Sequence, residues 1–133
     1  MSKLPVRLLL FLGVGAAFSG CFTSQERSGQ ALYEQQCANC HGRDGEGLGT
    51  LMPPLAGADY LLKHRTALPC LVRRGQRGPI TVNGQPYDGV MPAFSRQQLT
   101  DADVANILNY VGRAWGNAAP DAVTVPEVTA CGE

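Results

Sequence analysis

The chain has 133 residues, of which 44% are hydrophobic and 17% are charged, and its formal net charge is zero. This length predicts a single domain, and the balanced charge excludes the strongly basic surface that is typical of nucleic-acid binders. No internal repeat or low-complexity tract is visible in the sequence, which excludes repeat architectures.

The first twenty residues differ in composition from the rest of the chain. Lys3 and Arg7 give a basic start, and residues 8–18 form an apolar run that suits a signal peptide and is too short to span a bilayer. Small residues then precede Cys21, an arrangement that resembles a bacterial lipoprotein signal, in which the chain is cut before this cysteine and the cysteine is acylated. The alternatives are ordinary secretion and an uncleaved anchor in which Cys21 is incidental, and all three versions export the domain.

Local patterns predict two helical segments and a hairpin after this leader. Straight-chain helix formers dominate residues 27–38, which predicts a first helix that Ser28 caps. Residues 58–74 predict two short helices that are broken near Pro69. Residues 80–87 predict a small β-hairpin, because Asn-Gly between β-forming residues is a strong hairpin signal.

Residues 100–115 give the clearest helical pattern in the chain. Thr100 is the predicted N-cap, and acidic residues in the first turn favour the positive end of the helix dipole. Apolar residues then recur at helical spacing as far as Trp115. Gly116 is the predicted end of the helix, and the tail from Asn117 onward is predicted to be loop.

Cys37, Cys40 and His41 form the sequence C-x-x-C-H, which is the attachment signature of c-type haem. Two thiols three positions apart on a helical turn can each bond one vinyl group of the porphyrin, and the next residue can then present an imidazole nitrogen to the iron. We therefore predict one covalent haem c, with His41 as the proximal ligand. A thioredoxin-like dithiol would need a βαβ pattern, which the sequence lacks. A structural zinc site would need four ligands, and the remaining donors show no second pair.

The sixth iron ligand decides what such a haem can do, because a methionine sulfur raises the potential and closes the iron to small ligands. Met91 lies after the predicted hairpin and just before the last predicted helix, and we predict it as this ligand. Met52 lies shortly after the haem motif and is interpreted as core filler. His64 is the other candidate, and its alternative interpretation is a surface histidine among charged residues.

The five cysteines leave two without a role once Cys21 is assigned to lipid and the motif cysteines are assigned to haem. Spare thiols usually pair in an exported protein, because its compartment is oxidising. We therefore predict a disulfide between Cys70 and Cys131, which would attach the tail to the middle of the domain. The alternative is two unrelated thiols, one buried and one exposed.

Four features in chain order make the sequence similar to the class I cytochromes c of bacteria. Gly29 and Tyr33 precede the haem motif as the glycine and the aromatic residue of that family's first helix do. Tyr110 stands where the aromatic partner in the last helix would be. Pro53 matches the proline-rich loop after the haem motif, and Met91 matches the axial methionine.

The resemblance implies an all-α cytochrome c fold, with three to five helices around one haem and a small β-hairpin before the axial methionine. It also implies that the Pro53 carbonyl accepts a hydrogen bond from His41, which would fix the tautomer of the imidazole and raise its basicity. The predicted organisation is a lipoprotein signal peptide at 1–20, a tether at 21–26, the cytochrome domain at 27–116 and a C-terminal tail at 117–133.

The predicted function is one-electron transfer by a carrier that is lipid-anchored on the periplasmic side of a bacterial membrane. Its predicted donor is a quinol-oxidising complex or a dehydrogenase, and its predicted acceptor is an oxidase or a reductase. No catalytic residue, small-molecule substrate or nucleic acid is expected. The alternative is a dedicated cytochrome c subunit of a sulfite, alcohol or nitrite oxidoreductase, and a third class is a haem enzyme or gas sensor with an open iron site.

Charge is unevenly distributed along the second half of the chain. Residues 63–77 carry five basic side chains and no acid, whereas residues 101–133 carry five acids and only Arg113 as a base. Such asymmetry could orient a redox partner during docking. Alternatively, the two regions are solvated faces of compensating charge, or the arginines hold the haem propionates.

Overall fold

A computed structural model of the chain describes residues 24–132, so the predicted signal peptide and Cys21 lie outside the described residues. The described part is helical apart from one hairpin. None of its helices is both long enough and apolar enough to span a membrane. The elements in chain order are α1 (Ser24–Gln36), α2 (Ala38–His41), α3 (Asp59–Lys63), a 3-10 turn (Arg65–Ala67), α4 (Leu68–Arg74), β1 (Ile80–Val82), β2 (Gln85–Tyr87), α5 (Asp101–Val111), a second 3-10 turn (Ala114–Gly116) and α6 (Val125–Thr129).

Helix α1 begins earlier than the sequence pattern predicts. Its first residue is Ser24, so Ser28 lies inside the helix and the prediction that it caps the helix start was wrong. The helix also ends at Gln36, and the haem motif then continues into the short helix α2. Residues 24–26, which were predicted to belong to the tether, are therefore helical.

Helices α1 and α5 cross at Gly29, where the two backbones approach so closely that only glycine fits. A Cβ atom at this position would lie 2.4 Å from the carbonyl oxygen of Asn106 and 3.0 Å from Cβ of Tyr110. Tyr33 is fully buried on α1, and its ring packs against that of Tyr110 at a centroid distance of 5.7 Å. The family resemblance implied that Tyr110 is the aromatic partner of Tyr33, and this contact between the two helices is observed.

Helix α5 starts as predicted. The Thr100 hydroxyl accepts a hydrogen bond from the Asp103 amide at 3.1 Å, and the Asp103 carboxylate accepts one from the Thr100 amide at 2.9 Å. This reciprocal pair is a capping box, which satisfies two amides that helix formation leaves without partners. The helix then ends at Val111, with Gly112 as its C-cap.

Trp115 lies beyond this helix end, so the prediction that the helix continues to Trp115 was wrong. The residue has a φ of +52°, which no α-helical residue adopts. Its indole packs against Tyr33 and Tyr110 at centroid distances of 5.1 and 5.5 Å. Aromatic packing places this side chain, and its match to the helical period in the sequence is incidental.

The segment 58–74 breaks at a different position from the predicted one. Helix α3 ends at Lys63, the 3-10 turn follows, and α4 then runs to Arg74 with Pro69 in its first turn. Proline is tolerated in a first turn because the amides there have no partner within the helix. Pro69 therefore helps to start a helix, and the predicted break near it was wrong.

The predicted hairpin is confirmed, with Ile80 opposite Tyr87. Asn83 and Gly84 at its turn have φ values of +52° and +79°, as a type I′ turn requires. The turn is attached to α3 by two hydrogen bonds. The Asp59 amide donates to Asn83 Oδ1 at 2.9 Å, and the Asn83 amide donates to Asp59 Oδ1 at 2.7 Å.

The C-terminal tail is folded onto the domain and contains helix α6, so the prediction that it is loop was wrong. Thr124 and Glu127 form a second capping box at the start of α6. Val128 is fully buried in the main apolar core. Cys131 is joined to Cys70 by a disulfide with an S–S distance of 2.10 Å, which links the tail to α4.

Candidate haem-binding site

An apolar cavity with an empty volume of about 1070 Å³, its open mouth included, lies between the elements from α1 to α5. Each of these five helices and both strands contribute at least one side chain to its wall. A large, almost wholly apolar cavity with a few polar groups suits a bulky hydrophobic cofactor. Its aliphatic lining includes Leu55, Leu61, Leu71, Val72, Ile107 and Leu108.

Cys37 and Cys40 line this cavity, and neither takes part in a disulfide. The amides of Cys40 and His41 both donate to the Cys37 carbonyl, at 3.1 and 3.0 Å, which makes a tight turn between α1 and α2. Burial, assisted by the neighbouring Cys40, raises the pKa of the Cys37 thiol to about 11. The cavity therefore presents two unpaired thiols, as attachment through two vinyl groups requires.

His41 lies beside these thiols, and its Nδ1 is 3.0 Å from the Pro53 carbonyl oxygen. A carbonyl only accepts hydrogen bonds, so the proton is on Nδ1 and the lone pair of Nε2 is available to a metal. Burial lowers the pKa of His41, although the hydrogen bond to Pro53 opposes this effect. The lowered pKa favours the neutral imidazole that a metal ligand requires, and the contact to Pro53 is the one that the family resemblance implied.

Tyr33 fixes the end of the haem motif from α1. Its hydroxyl donates to the Gly42 carbonyl at 2.6 Å, and its ring lines the cavity. Burial is the main cause of the raised pKa of Tyr33, so the hydroxyl stays protonated and remains a donor. The aromatic residue that was predicted to pack between two helices thus also holds the turn after His41.

Asn117 anchors the loop that carries Pro53, and sequence reasoning missed it. Its side-chain amide donates to the carbonyls of Leu55 at 3.0 Å and Val111 at 2.7 Å, and its Oδ1 accepts from the Gly57 amide at 2.8 Å. These bonds attach the loop to the end of α5. No local signal could reveal this role, because two of the three partners lie about sixty residues away in the sequence.

Met91 is half-buried and lines the same cavity. Its amide donates to the Gln76 carbonyl at 2.9 Å, and the Gln76 amide donates to the Met91 carbonyl at 3.0 Å. A Cβ atom on Gly75 would lie only 2.5 Å from the Met91 carbonyl oxygen, so the close pairing depends on this glycine. The backbone of Met91 is thereby held against the end of α4.

The two rival candidates for the sixth ligand lie in different places. Met52 also lines the cavity, on the loop that carries Pro53, so it belongs to the cavity wall and not to the apolar core. His64 is exposed, lies outside the lining and packs against Tyr60 at a ring distance of 4.1 Å. Its interpretation as a surface histidine fits this position.

The basic side chains of residues 63–77 are largely engaged within the domain. Four of the five bond to acids or carbonyls, which accounts for most of the charge asymmetry seen in the sequence. None of these four lines the cavity. The pairs are Lys63 with Asp59, Arg65 with Glu127, Arg73 with Asp101, and Arg74 with the Cys131 carbonyl.

The zinc alternative finds no support among residues 24–132. No group of three or more His, Cys, Asp or Glu side chains in this part of the chain is arranged to hold a metal ion. Cys70 and Cys131, which would have been needed as ligands, are joined to each other.

Comparison with known proteins agrees with this geometry. The family described as cytochrome c oxidase, cbb3-type, subunit III matches residues 24–111. The chain belongs to the cytochrome c family. Cytochrome c-552 of Thermus thermophilus is similar to it, with 40% identity over 97 residues that cover 70% of this chain and 72% of that protein.

Larger cytochrome subunits are also similar to the chain. The cytochrome c subunit of alcohol dehydrogenase (quinone) from Gluconobacter oxydans is 34% identical over 105 residues, which are 78% of this chain and 22% of that subunit. The gluconate 2-dehydrogenase cytochrome c subunit of Pantoea cypripedii is 36% identical over 106 residues, 77% of this chain and 23% of that subunit. The chain thus spans less than a quarter of these two subunits.

Membership of the cytochrome c family confirms three predictions from the sequence. The fold is the predicted all-α fold with one small hairpin. The cofactor is covalently bound haem c, and the function is electron transfer. The residues present fit this group, because an apolar cavity, two unpaired thiols and a neutral imidazole meet at one place.

Proposed function

We propose that this protein is a single-haem electron carrier in which Cys37 and Cys40 attach the haem, and His41 and Met91 bind its iron. The observation that carries the proposal is the shared cavity. Two unpaired thiols, an imidazole oriented by Pro53 and a methionine from a distant part of the chain all line it.

When bound, haem c supplies an iron that accepts and releases one electron. The chain contributes the surroundings that set how readily this happens. The Pro53 carbonyl holds the Nδ1 proton of His41 and so keeps the imidazole oriented and basic, while a thioether ligand such as Met91 raises the potential. The aliphatic wall excludes water, and the proposal assigns no catalytic residue and no small-molecule substrate.

Carbon monoxide binding tests whether the iron is closed. The reduced wild-type protein should not bind carbon monoxide, whereas Met91→Ala should bind it because the sixth position becomes free. Met52→Ala is the matched control, since it removes a methionine from the same cavity and should leave the iron closed. Ready binding by the wild-type protein would contradict the carrier and favour a haem enzyme or gas sensor.

The proposal includes export and lipid anchoring. Residues 1–20 would be removed and Cys21 acylated, which would hold residues 27–116 at the periplasmic side of a bacterial membrane with the tail of residues 117–133 bound to α4. The apolar run before Cys21 supports this step. Cells fed labelled palmitate should incorporate the label into the wild-type protein and not into Cys21→Ser. A wild-type protein that takes up no label would contradict the lipid anchor.

The relatives support redox proteins as partners. We propose a quinol-oxidising complex or a dehydrogenase as the donor and an oxidase or a reductase as the acceptor. The alternative of a dedicated cytochrome c subunit is favoured by one observation, since two of the relatives are named as subunits of dehydrogenases. Purification from native membranes separates the two: a free carrier elutes alone, and a subunit elutes with a large partner.

A further inference from the structure

Arg73 is the one charged residue that is buried among the described residues. The residue is 4% exposed and its side chain only 1%. Removing a guanidinium from water carries a large free-energy cost unless close partners compensate it. The position of these partners therefore indicates what the buried charge holds in place.

The partners of Arg73 lie in the segment that joins Met91 to helix α5. Its Nη1 donates to the Phe94 carbonyl at 3.0 Å and to the Leu99 carbonyl at 2.8 Å, and its Nη2 donates to Asp101 Oδ1 at 2.6 Å. One guanidinium thus binds the segment at both of its ends.

The same end of α4 holds this segment by its backbone as well. The Phe94 amide donates to the Val72 carbonyl at 3.2 Å, next to Arg73, and Gln76 pairs with Met91 through two hydrogen bonds. Met91 itself is held by Gln76, two residues after α4. The segment on its C-terminal side is held by the Phe94 backbone bond together with the side chain of Arg73.

We infer that Arg73 is a positioning residue for Met91, which keeps the methionine segment on α4 and the sulfur within reach of the iron. This inference rests on the proposal that Met91 is an iron ligand. A guanidinium suits the task because it is always charged and presents several donors in a fixed plane. Loss of Arg73 should let the segment open and expose the iron to competing ligands.

Arg65, in the 3-10 turn that precedes α4, provides a matched control. Its guanidinium also bonds one carboxylate, Glu127 at 2.6 Å, and one backbone carbonyl, that of Ala122. Both of these partners lie in the C-terminal tail, and none lies between Met91 and α5. A variant of Arg65 loses a similar set of bonds without releasing the methionine segment.

The test is a titration of the ferric protein with imidazole. Binding is monitored through the loss of the far-red sulfur-to-iron absorption band. Arg73→Met should bind imidazole about tenfold more tightly than the wild-type protein, because hydrogen bonds to a charged group no longer oppose opening of the segment. Arg73→Lys should show a smaller effect, and Arg65→Met should match the wild-type protein. Unchanged affinity in Arg73→Met, or an equal rise in Arg65→Met, would overturn the inference.

Two further measurements separate the possible failures. Met91→Ala lacks the far-red band, so its titration is followed by the change in its Soret absorption. It should bind imidazole far more tightly than the wild-type protein, and equal affinities would refute Met91 as a ligand, whatever Arg73 does. If neither Arg73 variant folds, hydrogen exchange in the wild-type protein decides. The guanidinium protons of Arg73 and the amide of Met91 should then exchange through one common opening. If the guanidinium protons exchange much faster than the Met91 amide proton, the positioning role of Arg73 is refuted.

Discussion

Single residues determine how closely the two longest helices of the described chain approach each other. Gly29 faces the backbone carbonyl of Asn106, which cannot rotate away as a flexible side chain would. The same approach brings Tyr33 and Tyr110 together, and Tyr33 in turn holds the end of the haem motif through Gly42. Because Gly29 has no side chain, α1 and α5 can pack closely, and this packing sets the position of Tyr33 in the cavity wall.

Gly29→Ala should therefore destabilise the protein by about 1–3 kcal/mol, as overpacked cores generally do. The added methyl group would lie 2.4 Å from the Asn106 oxygen, so α1 and α5 must move apart. Denaturant unfolding followed by haem absorbance measures the effect. Ser28→Ala, at the neighbouring exposed position of α1, should leave the free energy of unfolding unchanged, and equal stability of both variants would contradict the tight crossing.

Glu127 should contribute to stability in a pH-dependent way. Hydrogen bonds lower the pKa of Glu127 from 4.5 to about 2. The largest contribution comes from the Arg65 side chain, and Thr124 adds to it. Its folded-state pKa is below its unfolded value, so the stabilisation is fully present above pH 4.5 and is lost as the pH falls towards 2. The free energy of unfolding should decline across this window, and it should decline less steeply in Glu127→Gln. If the free energy of unfolding declines equally steeply in the wild-type protein and in Glu127→Gln, the lowered pKa of Glu127 is contradicted.

Among the elements, α4 is attached both to the C-terminal tail and to the segment that follows Met91. One side of it is joined to the tail by the disulfide, and Arg74 on its last turn donates to the Cys131 carbonyl. Arg73 near its C-terminal end holds the segment after Met91, and Gln76, two residues beyond the helix, pairs with Met91 itself. The short helix thus links the tail of the chain to the segment that carries the proposed iron ligand.

The disulfide should stabilise the domain mainly by restricting the unfolded chain. Removing it with Cys70→Ser and Cys131→Ser together should cost up to about 4 kcal/mol for a loop of this length. Each single variant should lower the free energy of unfolding nearly as much as the double variant does, because the bridge is lost in all three. Denaturant unfolding of the ferric proteins without a reductant checks this. Free-energy losses that add from the two single variants to the double variant would contradict a native bridge.

Local signals predicted some element boundaries and missed others for identifiable reasons. The capping box at Thr100 and the Asn83-Gly84 turn involve residues that are close in sequence, so their chemistry is visible there. Trp115 matches the helical period and yet lies outside α5, because its position follows from contacts with Tyr33 across the molecule. Helix α6 contains only five residues, which is too short for a periodic pattern.

For the molecule as a whole, the cofactor could be predicted because its chemistry is concentrated in a contiguous motif. The fold followed from a resemblance that is carried by residues spread from Gly29 to Tyr110. Cys37, Cys40 and His41 specify covalent haem without any knowledge of the fold. The supporting contacts could not be predicted, since they join distant parts of the chain. Asn117 reaches the Pro53 loop and Arg73 reaches the Met91 segment only after α4 and α5 have packed.

The iron ligands can be determined from the far-red absorption band that methionine sulfur gives to ferric haem c. We predict that the band is present in the wild-type protein and in Met52→Ala, and that it is absent from Met91→Ala. A band that persists unchanged in Met91→Ala would contradict ligation of the iron by Met91.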